Sequence, residues 1–176
     1  MTTSFVSEID IVVESPLWHS SVQGDVFQEL LSQIHGSVLG KAQIPEVLQG
    51  RNLSYCVILA DDDGVQTLNS DYRGIDKPTN VLSFAVLDDA DELDFLDMQE
   101  QFEGSVTIGD LVLSYDTLAR EAEEKSIQFD AHLCHILTHG LLHLLGYDHI
   151  EDDEAETMEN LEVLILKDLG VEDPYA

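Results

Sequence analysis

Three histidines, His139, His143 and His149, are the residues of this chain best suited to hold a metal ion. His139 and His143 are four positions apart. On a helix of about 3.6 residues per turn they lie about 40° apart in azimuth, one turn above the other. Gly146 offers a helix stop, because glycine accepts the left-handed backbone at a helix end. Past that stop the chain can turn over Tyr147 and Asp148 and bring His149 to the same ion. Three imidazoles with an open fourth position form the donor set of a catalytic zinc site, whereas structural sites usually have four protein donors. We expect one zinc ion per chain, used for hydrolytic chemistry.

The spacing His-x3-His-x2-Gly-x2-His matches that of the metzincin metalloproteases, with one difference. Those enzymes place a glutamate general base directly after the first histidine. Here that position is Gly140. Without the base, peptide hydrolysis loses its proton acceptor, so a different reaction is expected at the same kind of metal. His132 and His135 share the stripe of His139 and His143. They read as polar residues on a partly exposed face, with His135 a candidate support or pocket wall behind the ligands. Arg73 and Lys77 stand out in a chain with few cations, and a guanidinium fork suits phosphate oxygens. Asp110 interrupts an apolar strand pattern and reads as a capping or supporting carboxylate.

These residues need elements to position them. Alternation of Val6, Ile9, Ile11 and Val13 predicts a strand within residues 4–14. Val26, Leu30, Leu31, Ile34 and Val38 fall at helical spacing over residues 26–39. The near-continuous apolar run at 53–60 predicts a buried strand, followed by a turn at 61–64 and a short helix at 65–72. Residues 80–86 and 105–114 read as two more strands. The acidic stretch at 88–103 between them has the composition of a solvated loop, and no chemistry is assigned to it. Three helices close the chain, at about 116–125, 130–145 and 153–169. Strands cluster early and helices late. That order predicts one α+β domain over residues 1–176, a small mixed sheet packed with about five helices and the metal site on a core helix.

Composition narrows the function classes. The chain has 176 residues, 44% of them apolar, enough for a substantial core. No apolar run reaches the roughly 18 residues of a membrane helix, so no membrane partner is expected. The N-terminus lacks the pattern of a secretory leader. Cys56 and Cys134 suggest no disulfide framework, and a reducing cytoplasm is the expected compartment. The formal net charge is -29, with 36 acids against 7 Lys and Arg. Such a surface repels nucleic acid at long range, which weighs against a nuclease and favours solubility.

Against that stands a resemblance. The segment HGLLHLLGYDH, from His139 to His149, resembles the signature of the YbeY family of bacterial endoribonucleases and rRNA maturation factors. LNSDYRGIDKPTNVLSF, from Leu68 to Phe84, resembles the family's second motif, and IGDLVLS, from Ile108 to Ser114, a third. The likeness covers roughly residues 50–170 in the family's order. It implies zinc ligands at His139, His143 and His149 and a functionally important arginine at Arg73. It also implies cleavage of single-stranded RNA, ribosomal RNA above all, including the 3′ end of the small-subunit precursor, with the small ribosomal subunit or its assembly factors as partners. Many relatives carry Asp where this chain has Asn80. Two other readings are a metal-dependent hydrolase of a peptide or small amide, and a ribosome-assembly factor whose metal is structural.

Overall fold

The computed structural model describes residues 8–88, 94 and 105–176. Most of the acidic stretch between the third and fourth strands, and residues 4–7 of the expected first strand, lie outside the described residues. A four-stranded sheet runs in the order β1-β2-β4-β3, with β1 (Ile9–Val13), β2 (Asn52–Ala60), β3 (Val81–Ala85) and β4 (Ser105–Ser114). β1 and β4 pair with β2 in parallel, and β3 pairs antiparallel with β4, so the sheet is mixed. Its long helices are α1 (Val26–Lys41), α2 (Asp62–Arg73), α3 (Tyr115–Lys125), α4 (Phe129–Leu144) and α5 (Asp152–Asp168). The α+β class, the mixed sheet and the five long helices agree with the sequence expectation.

β2 alternates buried and half-buried side chains, and Leu53, Tyr55, Val57 and Leu59 enter the main core. β4 adds Ile108, Leu111 and Leu113 to that core, and α1, α4 and α5 cover it. The other sheet face packs Ala60, Leu82 and Val112 against Val65 of α2. α4 is the central helix: it touches β3, β4, α1, α3 and α5. Eleven of its residues are buried, among them Leu133, Leu137, Leu141 and Leu142.

The segment expected to be a turn at 61–64 is instead the start of α2. Asp61 has extended backbone and its carboxylate accepts a hydrogen bond from the Gly64 amide at 3.0 Å. Asp62 and Asp63 then occupy the first turn, where carboxylates suit the positive end of the helix dipole. The acids that suggested a turn are the cap of the helix. At its other end Gly74, with φ 69°, stops α2 directly after Arg73. Asp62 also docks the helix. Its Oδ1 accepts hydrogen bonds from the hydroxyls of Ser114 (2.5 Å) and Thr117 (2.6 Å) at the β4–α3 junction.

Candidate metal centre

The helix stop after α4 has the hydrogen bonds of a Schellman cap. The Gly146 amide donates to the carbonyl of His143 at 3.0 Å, and the Tyr147 amide to that of Leu142 at 3.1 Å. Gly146 has φ 93°, which a side chain would strain. The turn is anchored from outside as well, since the amide of Gln43 donates to the Tyr147 hydroxyl at 2.8 Å. This closed turn carries His149 back beside the helix. One ring nitrogen from each of His139, His143 and His149 lies within 4.8 Å of the others. The His149 ring centre is 5.5 Å from that of His139 and 5.1 Å from that of His143.

Hydrogen bonds behind the rings decide which nitrogens face inward. Nδ1 of His139 lies 2.5 Å from Oε1 of Glu162. Nδ1 of His143 lies 2.8 Å from the Tyr147 carbonyl oxygen. Carboxylate and carbonyl oxygens only accept, so each Nδ1 carries the proton and each Nε2 keeps its lone pair. Those two Nε2 atoms face each other at 3.1 Å. Two lone pairs at that distance repel unless a cation lies between them, so the donor set fits a metal ion. A carboxylate or carbonyl behind each imidazole is the usual means of fixing a ligand's tautomer and ring angle. Burial, reinforced by the neighbouring His139, lowers the pKa of His143 and favours the neutral ring that binds metal.

Glu162 was not a sequence candidate. It sits in α5 with its side chain wholly shielded from solvent. Burial alone would raise its carboxyl, but hydrogen bonds from His135, His139 and Tyr175 outweigh that effect and hold it down at about 2. The ionised carboxylate therefore places a negative charge behind the histidines. A signal was present: Glu162 follows Met158 by four and precedes Ile165 and Leu166 by three and four, so it lies on the apolar stripe of α5. An acid on such a stripe needs a partner.

His132 and His135 are not on a partly exposed face. They are 0% and 7% exposed, and each meets a buried or half-buried carboxylate. His132 Nε2 lies 2.7 Å from Glu121, and His135 Nε2 lies 3.0 Å from Glu162. The whole stripe on α4 thus faces carboxylates or the other histidines of the cluster, which is why it tolerates burial. Glu121 also accepts from the Asn80 amide at 3.1 and 3.2 Å. An aspartate at position 80 would set two carboxylates against each other, so Asn80 suits this particular neighbour.

Arg73 and the three histidines line one cleft of about 430 Å³, together with Asn80, Ser83 and Asp148. Among the described residues Arg73 has no ion-pair partner. Lys77 does not line that cleft. Asp110 takes no part either: it is exposed and paired in register with Cys56 and Phe84, and burial of its surroundings raises its carboxyl. Gly140 lies flat on the sheet. A Cβ there would come within 2.9 Å of Leu111 Cδ2, so close helix–sheet packing occupies the place where the metalloproteases carry their glutamate.

Comparison with known proteins identifies the family. The family model described as Endoribonuclease YbeY matches residues 16–170. The chain belongs to the YbeY family. An Endoribonuclease YbeY from Bradyrhizobium sp. is 40% identical over 184 residues, covering 100% of this chain and 96% of the relative. One from Rhizorhabdus wittichii is 47% identical over 142 residues, covering 81% of this chain and 78% of that protein. A solution structure from Thermotoga maritima shares the fold, with a TM-score of 0.52, 22% identity and coverage of 92% and 91%. Residues of the segments from Leu68 to Phe84 and from His139 to His149 line the same cleft. No helix among the described residues is long and apolar enough to cross a membrane.

Proposed function

We propose that this chain is a zinc-dependent endoribonuclease that cleaves phosphodiester bonds in single-stranded RNA. Its cellular substrate is ribosomal RNA, including the 3′ end of the small-subunit precursor, and its partner is the small ribosomal subunit or its assembly factors. The observation that carries the reading is the shared cleft: an arginine with no ion-pair partner among the described residues lines the same cavity as three histidines whose ring nitrogens converge. His139, His143 and His149 hold one zinc ion per chain, which supplies Lewis acidity. Arg73 binds a phosphate oxygen and stabilises the negative charge that builds up there as the bond breaks. The Glu162 carboxylate and the Tyr147 carbonyl keep the protons of His139 and His143 on the outer ring nitrogens. With both cysteines free, the cytoplasm is the compartment that suits the chain.

The acidic surface does not contradict this reading. Its long-range repulsion slows encounter with free RNA, and a ribosomal partner that docks the protein removes that handicap by proximity. Two rival readings are weaker. Peptide hydrolysis needs a base that Gly140 cannot supply. A purely structural metal usually takes four protein donors, and the described residues bring three. The test is cleavage of single-stranded RNA by rigorously purified protein, with and without chelator and with zinc restored. Activity should vanish with chelator and return with zinc. Cleavage that survives complete zinc removal would refute the metal-dependent mechanism.

A further inference from the structure

Beyond α5 the chain turns back toward the metal centre. Gly170 has φ 74° and Val171 packs on the core. The Tyr175 amide then donates to Asp173 Oδ1 at 2.8 Å, which closes a turn and aims the Tyr175 ring inward. That ring stands edge-on to His135, with centres 5.5 Å apart. Its hydroxyl donates to Glu162 Oε2 and lies 3.3 Å from His135 Nε2. Tyr175 is 46% exposed, whereas the carboxylate it reaches is fully buried. A surface segment therefore supplies one of the three donors to the buried acid behind His139.

We propose that Tyr175 is a positioning residue for the metal centre, acting through Glu162 on His139. The inference rests on the metal reading above and names a part of that site outside both sequence motifs. The two oxygens of Glu162 divide the work. Oε2 takes donors from His135 and Tyr175, and Oε1 takes the one from His139. Two donors on Oε2 fix the rotation of the carboxylate plane, and that rotation aims Oε1 at His139 Nδ1. Without the hydroxyl, Oε2 keeps only the His135 donor. Oε1 can then swing, and the His139 ring loses part of its fixed angle. Groups that orient a metal ligand from behind typically change metal affinity by about 10–100-fold when removed. Tyr175 acts one step further out, so the low end of that range is expected.

The experiment measures the rate at which zinc passes from the loaded, full chain to a chromophoric chelator. Tyr175→Phe keeps the ring against His135 and removes only the hydroxyl, so its fold is preserved, which a melting curve checks. Zinc should leave this variant roughly 10-fold faster than the wild type. A double-mutant cycle with Glu162→Gln tests the route. In the Gln background the tyrosine change should alter release by less than about 2-fold, because the carboxylate it pins is gone. Unchanged or slower release in Tyr175→Phe would overturn the inference while leaving the zinc site standing. Equal acceleration in both backgrounds would also overturn it, since the tyrosine would then act by another route. A wild-type chain that retains no zinc would overturn the metal reading and this inference together.

Discussion

Glu162 Oε1 lies 2.5 Å from His139 Nδ1, joining α5 to the helix that carries two of the three proposed zinc donors. Glu162→Ala removes the acceptor of three donors at once, leaving the half-buried His139 N–H without a partner and the buried His135 N–H with only the Tyr175 hydroxyl. An unsatisfied buried donor costs about 1–3 kcal/mol, so the melting temperature should fall clearly. Zinc affinity should drop by about 10–100-fold, because the His139 tautomer is no longer fixed. Competition with a chelator of known affinity, run beside a thermal melt, measures both. A variant that binds zinc like the wild type would show that the histidines need no support from α5.

His143→Ala addresses the ligands directly. The purified wild type should carry about one zinc per chain, and the variant should lose most of it, since two imidazoles hold the ion poorly. Elemental analysis reads the result. Chelator should lower the melting temperature of the wild type by mass action and leave a folded domain, because the core under α4 does not depend on the metal. Stoichiometric zinc in His143→Ala would remove this residue from the site.

The centre was only partly legible in the sequence. His139, His143, Gly146 and His149 announced themselves because helical spacing and glycine's backbone freedom are local properties. Arg73 was visible as a rare cation, but its place opposite the histidines depends on how α2 docks on the sheet. Glu162 and Tyr175 were missed, for a physical reason. Their partners lie 23 and 40 positions away from them, at His139 and His135. One-dimensional periodicity showed an acid on an apolar stripe without showing what neutralises it. The burial of His132 and His135 was hidden for the same cause, since the carboxylates that allow it come from α3 and α5, whereas the expected place of His135 behind the cluster agrees with its contact to Glu162. Among the elements, the start of α2 was misread because Asp and Gly serve both turns and helix caps.

Gly140 offers a test of the proposal that this site does not hydrolyse peptides. Gly140→Glu restores the residue type of the metalloproteases at that position. Its Cβ would already meet Leu111 Cδ2 at 2.9 Å, and the rest of the side chain would enter the core. Overpacking costs about 1–3 kcal/mol, and an unpaired buried carboxylate adds to it. Marked destabilisation with no peptidase activity is expected. Gly140→Ala should cost less, because the atom it meets is the movable end of a leucine. A stable Glu variant that cleaves peptides would mean that the helix can rotate to free that position.

Asp62 links stability at low pH to the cleft through α2. Burial pushes its carboxyl up, but hydrogen bonds from Ser114 and Thr117 and the nearby Arg120 outweigh this and lower it. A carboxyl lowered on folding stabilises the native state fully above its unfolded pKa. That contribution fades as pH falls through the folded value. Asp62→Asn should therefore lose about 1 kcal/mol near neutral pH, and the gap to the wild type should close under acid conditions. Denaturant melts at a series of pH values measure this. A gap that stays constant down to strong acid would show that packing, not charge, holds the end of α2.

Arg73 is separable from the metal, because it comes from α2 and the histidines come from α4 and the turn after it. On the proposed function, Arg73→Ala removes a phosphate contact and no metal ligand. Zinc content and melting temperature should stay at wild-type levels while RNA cleavage falls on the order of 10²-fold, the usual cost of losing one donor to a developing oxyanion. Arg73→Lys should recover only part of that loss, since lysine keeps the charge and lacks the planar fork. If the arginine served only the surface, both variants would cleave normally, with at most a small change in stability. The same three preparations supply zinc content, melting temperature and cleavage rate, so contamination by another ribonuclease is also exposed: a contaminant would leave the rate unchanged across all three. Full activity in Arg73→Ala, with contaminants excluded, would take Arg73 out of the reaction and weaken the ribonuclease assignment with it.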